Sequence, residues 1–457
     1  MLKSCLKSLL GAAFAGLAHA AAAQSPPPAP ATAPNPQQPQ AQPPTVSASA
    51  RRLYERSKGQ LLQIRTLLKT QDSQASVGSG FLVSDDGHVV TNYHVISQFA
   101  LEPDSYRLRY ATTDGQGGAL ELLDFDARRD LALLRAVDDG KGGGLKGRGA
   151  LTFRPQNQPL AKGERIYSMG NPHDVAFAVV EGNYNGLVER SFDPLIYYAG
   201  GINPGMSGGP VLDEDGLVVG VNVSTLLFAQ QVSFLVPGEF AESLVKRSLA
   251  AKPIRTAAWG RLRDQLTRYQ DELVTRFLAA PWESANHDRY RLPVPKQDFM
   301  RCWGRGTSAD TKGLDFERSQ CRMDHALFVS GNLQTGWLDM SHEAYDGSKL
   351  GALRFARQYT GSFRNERLGS ADKSRTAPYC KEQFVDRDGL PLRAVVCLRA
   401  YRKLDGLHDL SVLVTTVDSP TEGALGRFDA RGISFDNALK LAAHYLEGFA
   451  WTNSKAK

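Results

Sequence analysis

Short apolar runs separated by turn sequences dominate the middle of the chain. Residues 61–68 predict a first strand, and residues 80–83 and 88–90 predict a hairpin that turns at Asp85-Asp86-Gly87. Similar runs, broken by Asp-Gly, Gly-Gly and Asn-Pro dipeptides, continue to Pro237 with little helical periodicity. This pattern predicts a β-barrel or a β-sandwich.

Helical spacing appears after Pro237. Residues 238–249 predict a closing helix, and residues 255–279 predict a longer helix with one apolar face. We expect that face to be buried in a core. Its members are Trp259, Leu262, Leu266, Tyr269, Leu273 and Phe277.

The rest of the chain mixes the two patterns. Strand-like runs occur at residues 326–329, 337–340, 394–398 and 410–415, and a C-terminal helix is predicted at 434–449. We therefore expect an α+β domain. His342 and Glu343 lack the second histidine of a zinc-protease helix and are interpreted as a surface pair.

The N-terminal segment has a different composition. Residues 1–20 combine Lys3 and Lys7 with an apolar run and end in Ala18-His19-Ala20, which predicts a signal peptide. Residues 21–50 are mostly Ala, Pro and Gln, which predicts a disordered linker. A β-rich domain is then expected over residues 51–250 and an α+β domain over residues 251–457.

Candidate chemistry centres on Ser207, in the segment Asn-Pro-Gly-Met-Ser-Gly-Gly-Pro at 203–210. Flanking glycines allow a sharp turn that projects the hydroxyl while neighbouring N–H groups converge beside it. A serine nucleophile also needs a base and a group that orients the base. His94 follows a predicted strand, and Asp130 enters an apolar strand where its carboxylate needs a partner. The order His, Asp, Ser is that of one known type of catalytic triad.

Four segments together resemble the HtrA (Deg) family of trypsin-like serine proteases. They are Gly-Ser-Gly-Phe at 78–81, Thr-Asn-Tyr-His-Val at 91–95, Asp-Leu-Ala-Leu-Leu at 130–134, and residues 203–210. The similarity covers roughly residues 53–249, and no PDZ domain is recognisable beyond it. The resemblance implies a mainly β fold, a chymotrypsin-like double β-barrel with the triad in the cleft, followed here by the α+β C-terminal domain.

The resemblance also implies the roles of the triad. Ser207 would attack the scissile carbonyl, His94 would take its proton, and Asp130 would orient the imidazole. The backbone N–H groups of Gly205 and Ser207 would bind the oxyanion, each contributing about 3 kcal/mol. Met206 stands where the family commonly has asparagine, and we expect activity to be kept because only its backbone would shape the oxyanion hole.

The resemblance further places the primary substrate pocket at Gly201, Ile202, Val223 and Ser233. Gly201 stands where a trypsin-type pocket has an acidic residue, so we expect cleavage after small or medium apolar residues. Such residues are mostly buried in folded proteins, which favours unfolded polypeptides as substrates.

Two alternatives to an active endopeptidase stay open. One is a catalytically silent protease fold that acts as a peptide-binding or chaperone module, which would not be labelled at Ser207 by an organophosphonate. The other is a latent protease regulated by its C-terminal domain, whose rate or selectivity would change when the chain is cut after Leu249.

The cysteines and the charge complete the sequence predictions. Cys302, Cys321, Cys380 and Cys397 predict two disulfides in an exported protein, and of the three possible pairings the sequence-local one, 302 with 321 and 380 with 397, is the simplest. The Cys and His spacing does not suggest zinc, and we expect no metal or cofactor.

The net charge of +6 is spread along the chain without a dense basic run, so nucleic acid is not an expected partner. We expect unfolded or specific envelope polypeptides as substrates, no stable membrane insertion, and a periplasmic or secreted location.

Overall fold

The computed structural model describes residues 47–137, 144–225, 231–308, 310, 312–364 and 368–452. The predicted signal peptide and most of the predicted linker lie outside these residues. The described residues form one compact unit. Its first helix, α1 (Ala48–Ser57), begins three residues before the expected start of the globular chain, because the Ser47 hydroxyl accepts a hydrogen bond from Ala50 N at 3.1 Å and caps the helix.

A first barrel and one helix follow α1. In chain order the elements are β1 (Leu61–Leu68), β2 (Gln74–Leu82), β3 (His88–Thr91), α2 (Tyr93–Leu101), β4 (Tyr106–Thr112), β5 (Gly117–Asp126) and β6 (Leu131–Ala136). The strands pair antiparallel and close in the order β1-β2-β3-β6-β5-β4. The sequence prediction misses α2 because six of its nine residues are buried, so its apolar positions form no narrow stripe.

The second barrel is built in the same way. Its strands are β7 (Arg165–Gly170), β8 (Ala178–Leu187), β9 (Ile196–Ala199), β10 (Pro210–Leu212), β11 (Val218–Thr225) and β12 (Ser233–Pro237), followed by helix α3 (Gly238–Ser248). They close in the order β10-β11-β12-β9-β8-β7. Helix α3 packs on β5 and β6 of the first barrel and on β11 and β12 of the second. The double barrel implied by the sequence resemblance is confirmed.

The C-terminal part is organised around a seven-stranded antiparallel sheet. Its elements are α4 (Trp259–Ala279), β13 (Glu283–Asn286), β14 (Tyr290–Val294), β15 (Arg301–Gly306), β16 (Asp315–Arg322), β17 (Leu327–Ser330), β18 (Leu333–Thr335), β19 (Leu338–Asp346), α5 (Ala352–Ser362), β20 (Tyr379–Arg387), β21 (Leu390–Ala400), β22 (Leu407–Thr416), β23 (Glu422–Ser434), α6 (Phe435–Glu447) and β24 (Ala450–Trp451). The large sheet has the order β15-β16-β19-β23-β22-β21-β20, β13-β14-β24 form a small sheet, and β17-β18 form a hairpin.

Two disulfides join the outermost strands of the large sheet to their neighbours. Cys302 on β15 lies directly opposite Cys321 on β16, and Cys380 on β20 lies directly opposite Cys397 on β21. Their S–S distances are 2.05 and 2.03 Å. These are the sequence-local pairs among the three possible pairings.

One continuous cluster of buried apolar side chains runs from the first barrel through α4 into the large sheet. The apolar face predicted for the long helix is buried as expected: Leu262, Leu266 and Phe277 are at most 1% exposed. The surface position predicted for His342 is wrong. This residue lies on β19, near the middle of the large sheet, and is only 2% exposed.

Candidate active site

The Asp130 carboxylate contacts His94 twice. Its Oδ1 accepts a hydrogen bond from the His94 backbone N at 2.8 Å, and its Oδ2 lies 2.5 Å from His94 Nδ1. Asp130 precedes β6 with a positive φ of 53°, and its carbonyl oxygen accepts hydrogen bonds from Asn92 Nδ2 at 2.7 Å and Tyr93 N at 3.2 Å. These hydrogen bonds hold the first turn of α2, which carries His94, against the end of the loop before β6, which carries Asp130.

The environment of His94 raises the pKa of its imidazole above the ordinary value of 6.5. Burial alone would lower this pKa, because it disfavours the charged form. The negative charge of Asp130 and its hydrogen bond to the ring outweigh the burial. A proton accepted by His94 is therefore stabilised, as a general base requires.

The loop that carries Ser207 packs on β2 and on β3, the strand that precedes His94. Ser207 O accepts a hydrogen bond at 2.7 Å from the backbone N of Ser79, which lies on β2. The next residue, Gly208, lies so close to β3 that a Cβ there would be 2.4 Å from Thr91 Oγ1. Ser207 Oγ donates a long hydrogen bond of 3.5 Å to Val223 O. Among the described residues, no hydrogen bond joins this hydroxyl to His94, and the bond to Val223 O is long enough to be weak.

The turn before Ser207 presents two unused backbone donors. Gly205 has a φ of +95°, and a Cβ at this position would lie 2.4 Å from Asn171 O. Within the part of the chain that the structure describes, neither Gly205 N nor Ser207 N donates a hydrogen bond to another protein group. Both N–H groups are therefore unpaired among the described residues, as an oxyanion-binding role requires.

Ser79 holds this turn in place, a role that the sequence did not reveal. Its buried hydroxyl donates to Gly205 O at 2.7 Å and accepts from Asn171 N at 2.9 Å, which fixes the turn to the end of β7. Ser79 belongs to the Gly-Ser-Gly-Phe segment that carries part of the family resemblance. That membership is the one signal in the sequence that points to it.

The four predicted pocket residues make different kinds of contact. Val223 contacts Ser207 through its carbonyl oxygen, and Gly201 has open space where a side chain would lie. Ile202 packs its side chain into the core of the second barrel. The buried Ser233 donates to Gly200 O at 2.8 Å and accepts from Ile202 N at 3.2 Å. Ser233 therefore fixes the backbone around the predicted pocket, and the lining role of the four residues stays a prediction.

Arg128 connects the loop of Asp130 to the rest of the molecule. Its guanidinium donates from Nε to Asp193 at 2.8 Å, in the second barrel, and from Nη1 to Glu272 at 2.6 Å, on α4. It also lies 5.5 Å from the Phe192 ring and 5.2 Å from the Tyr269 ring. The sequence shows Arg128 only as a charge near Asp130, because both carboxylate partners are more than 60 residues away.

Two kinds of feature are absent from the described residues. No group of three or more His, Cys, Asp or Glu side chains there has the arrangement of a metal site. No helix in those same ranges is both long and apolar enough to span a membrane.

Comparisons with known proteins identify one matching family model and several relatives. Residues 78–221 match the family model described as a trypsin-like peptidase domain. Two proteins named as probable periplasmic serine endoproteases, DegP-like, are 30% identical over 190 residues (Chlamydia muridarum) and 32% identical over 199 residues (Ectopseudomonas mendocina). Serine protease HTRA1 of Xenopus laevis is 30% identical over 189 residues.

These alignments cover part of each protein. They take in 39–41% of this chain and 35–38% of the length of those three relatives. A crystal structure of the serine endoprotease from Yersinia pestis is 21% identical, with a TM-score of 0.37, and the match covers 44% of this chain and 67% of the other. Residues 78–221 of this chain therefore form a trypsin-like peptidase domain.

Proposed function

We propose that this protein is an exported serine endopeptidase that cleaves polypeptides through an acyl-enzyme intermediate, with His94, Asp130 and Ser207 as its triad. The observation that carries the proposal is the double contact of Asp130 with His94. By binding the backbone N and Nδ1 of His94, the carboxylate fixes both the orientation and the tautomer of the ring. Nε2 is then the basic nitrogen.

The proposed chemistry uses these groups in turn. Ser207 Oγ attacks the scissile carbonyl carbon while His94 Nε2 takes the hydroxyl proton. The carbonyl oxygen becomes an oxyanion and accepts hydrogen bonds from Gly205 N and Ser207 N. His94 returns the proton to the leaving amine, the C–N bond breaks, and water then hydrolyses the acyl-serine by the same steps in reverse.

Substrate class and location are part of the proposal. The absence of an acidic side chain at Gly201 supports cleavage after small or medium apolar residues. Unfolded polypeptides expose such residues, so they are the proposed substrates. The DegP-like relatives are named as probable periplasmic enzymes, which supports a periplasmic location.

The test compares the wild-type chain with Ser207→Ala. Each protein is incubated with reduced casein, the new termini are identified by mass spectrometry, and active-site serines are labelled with a fluorophosphonate probe. Ser73→Ala, which changes an exposed serine, is the matched control. We expect the wild type and the control to cleave casein and to be labelled, and Ser207→Ala to do neither.

Two results would contradict the proposal. Absence of labelling in the wild-type protein would favour the peptide-binding alternative. Equal cleavage by Ser207→Ala would assign the activity to another site or to a contaminant. Cell fractionation, with sequencing of the mature N-terminus, tests export separately.

A further inference from the structure

A segment of the C-terminal part lies beside the candidate triad. Residues 323–330, here called the cleft segment, connect β16 to the end of β17. The ring of Phe328 is 6.0 Å from the His94 ring, measured between centroids, with an interplanar angle of 69°. It is also 6.2 Å from the Tyr93 ring, at 68°. An aromatic side chain from outside the two barrels therefore packs edge-on against the imidazole.

The same segment contacts the second barrel. The ring of His325 lies 5.4 Å from the ring of Phe234, almost perpendicular to it. Phe234 is on β12, next to Ser233 of the predicted pocket, and pairs with Ser224 on β11. Within four residues, the cleft segment thus contacts the barrel that carries His94 and the barrel that carries Ser207.

The position of Phe328 is fixed by its neighbours. The buried Tyr93 donates its hydroxyl to Val329 O at 3.0 Å. Leu327 and Val329 point into the core, and Leu327 pairs with Thr335 in the β17-β18 hairpin. A side chain held between two buried neighbours presents a surface of defined shape, which is what selective recognition requires.

The cleft segment borders the site without sealing it. With Phe328 in place, the side chain of His94 is still 29% exposed and that of Asp130 17% exposed. Ser207 is also partly exposed. This arrangement differs from that of a plug, which would remove the reacting groups from solvent.

We propose that the cleft segment forms one wall of the substrate-binding cleft, and that Phe328 selects the substrate side chain that lies against the His94 imidazole. This inference rests on the proposed endopeptidase function. A peptide whose carbonyl carbon is within about 3.5 Å of Ser207 Oγ must pass the His94 ring with a residue adjacent to the scissile bond. Because the phenyl ring is apolar and held rigidly, that position favours apolar side chains of limited size.

The experiment compares three full-length proteins: wild type, Phe328→Ala and Phe316→Ala. Phe316 is also partly buried in the C-terminal part, but it packs in a separate cluster with Tyr345 and Phe355, so it is the matched control. Each protein cleaves a proteome-derived peptide library, and mass spectrometry gives the residue preference at every position around the cut. Fluorophosphonate labelling of Ser207 and circular dichroism report triad reactivity and folding.

We expect Phe328→Ala to shift the ratio of large to small apolar residues about tenfold at one position next to the cut, with the preferences at the other positions unchanged. Phe316→Ala should keep the wild-type profile. An unchanged profile in Phe328→Ala overturns the inference. So does a uniform increase at all cleavage sites, which would show that the segment only obstructs the cleft.

A binding measurement separates this inference from the proposed function. Fluorescein-labelled casein peptides are titrated into Ser207→Ala with and without Phe328→Ala, and fluorescence anisotropy gives the affinities. If the wild type is not labelled, the endopeptidase proposal fails, yet a change of peptide preference on removal of Phe328 still supports the wall. Identical affinities for every peptide overturn it.

Discussion

At the scale of single residues, the contact between His94 and Asp130 determines how the reaction should depend on pH. The base must be neutral to accept a proton, so the rate is lost as pH falls through the pKa of His94. Because Asp130 raises that pKa, the midpoint of the acid limb should lie above 6.5 in the wild type.

Asp130→Asn removes the charge but keeps the burial, which by itself lowers the pKa of His94. We expect the acid limb to move to lower pH and kcat to fall by about 10⁴-fold, because the amide no longer fixes the required tautomer. A series of kcat/KM values, or of fluorophosphonate labelling rates, between pH 4 and 9 measures both effects. An acid limb that stays at the wild-type pH would show that Asp130 does not control His94.

The turn at Gly205 offers a second residue-scale prediction. Gly205→Ala would place a methyl group 2.4 Å from Asn171 O, so the turn must move and Gly205 N must move with it. We expect kcat to fall at least 10²-fold, the effect of losing one oxyanion donor.

Gly115→Ala is the control for the backbone itself. Gly115 also has a positive φ, +82°, but a Cβ there meets nothing within 4 Å. This variant should lose some stability and keep its kcat. If both variants lost activity equally, backbone strain and not the geometry of the turn would be the cause.

At the scale of elements, β19 carries a histidine whose burial depends on the sheet around it. Burial, together with the nearby His287, lowers the pKa of His342 to about 3. Neither ring nitrogen finds a hydrogen-bond partner among the described residues, and the ring stacks on Tyr445 at 6.5 Å. The folded protein therefore keeps His342 neutral, while the unfolded chain binds a proton near pH 6.5.

The sign of the resulting pH dependence follows from linkage. The contribution of His342 to stability is complete above pH 6.5 and is lost as pH falls from 6.5 toward 3. Between pH 7 and pH 5, the loss of this contribution lowers the free energy of unfolding by roughly 2 kcal/mol. His342→Phe should unfold in urea with a pH dependence that is smaller by this amount. Parallel curves for the two proteins would contradict the prediction.

Strands and helices could be predicted where the pattern that specifies them lies in neighbouring residues of the chain. The strand at residues 61–68 agrees with β1, and the long helix at 255–279 contains α4, because alternation and helical spacing are properties of neighbouring residues. His342 was misread because its burial comes from β23 and α6, which pack on β19 from distant parts of the chain. Ser79 and Phe328 contact the candidate site across long sequence separations, and the sequence carries no spacing rule for either. The residues of the proposed triad could be named from the glycine-flanked serine and from the order His, Asp, Ser, and the family resemblance strengthened that interpretation.

At the scale of the whole molecule, the continuous core joins the first barrel to the C-terminal sheet through α4. Leu266 lies within this core and is 1% exposed. Leu266→Ala should cost about 2–5 kcal/mol and lower a single melting transition that includes barrel and sheet together. Leu353→Ala, at a position that is 90% exposed on α5, should leave the transition within about 0.5 kcal/mol of the wild type. Calorimetry would contradict this picture if two separate transitions appeared and only one moved.

The two disulfides of the large sheet have a further consequence. Each joins residues that face each other directly across a strand pair, one at either edge of the sheet. A slip of one residue would turn a cysteine to the opposite face, where its partner is out of reach. Each disulfide therefore fits the native register of its outer strand and not a register one residue away. A fully oxidised molecule therefore holds both outer strands against a slip of one residue, whereas a reduced molecule lacks this constraint.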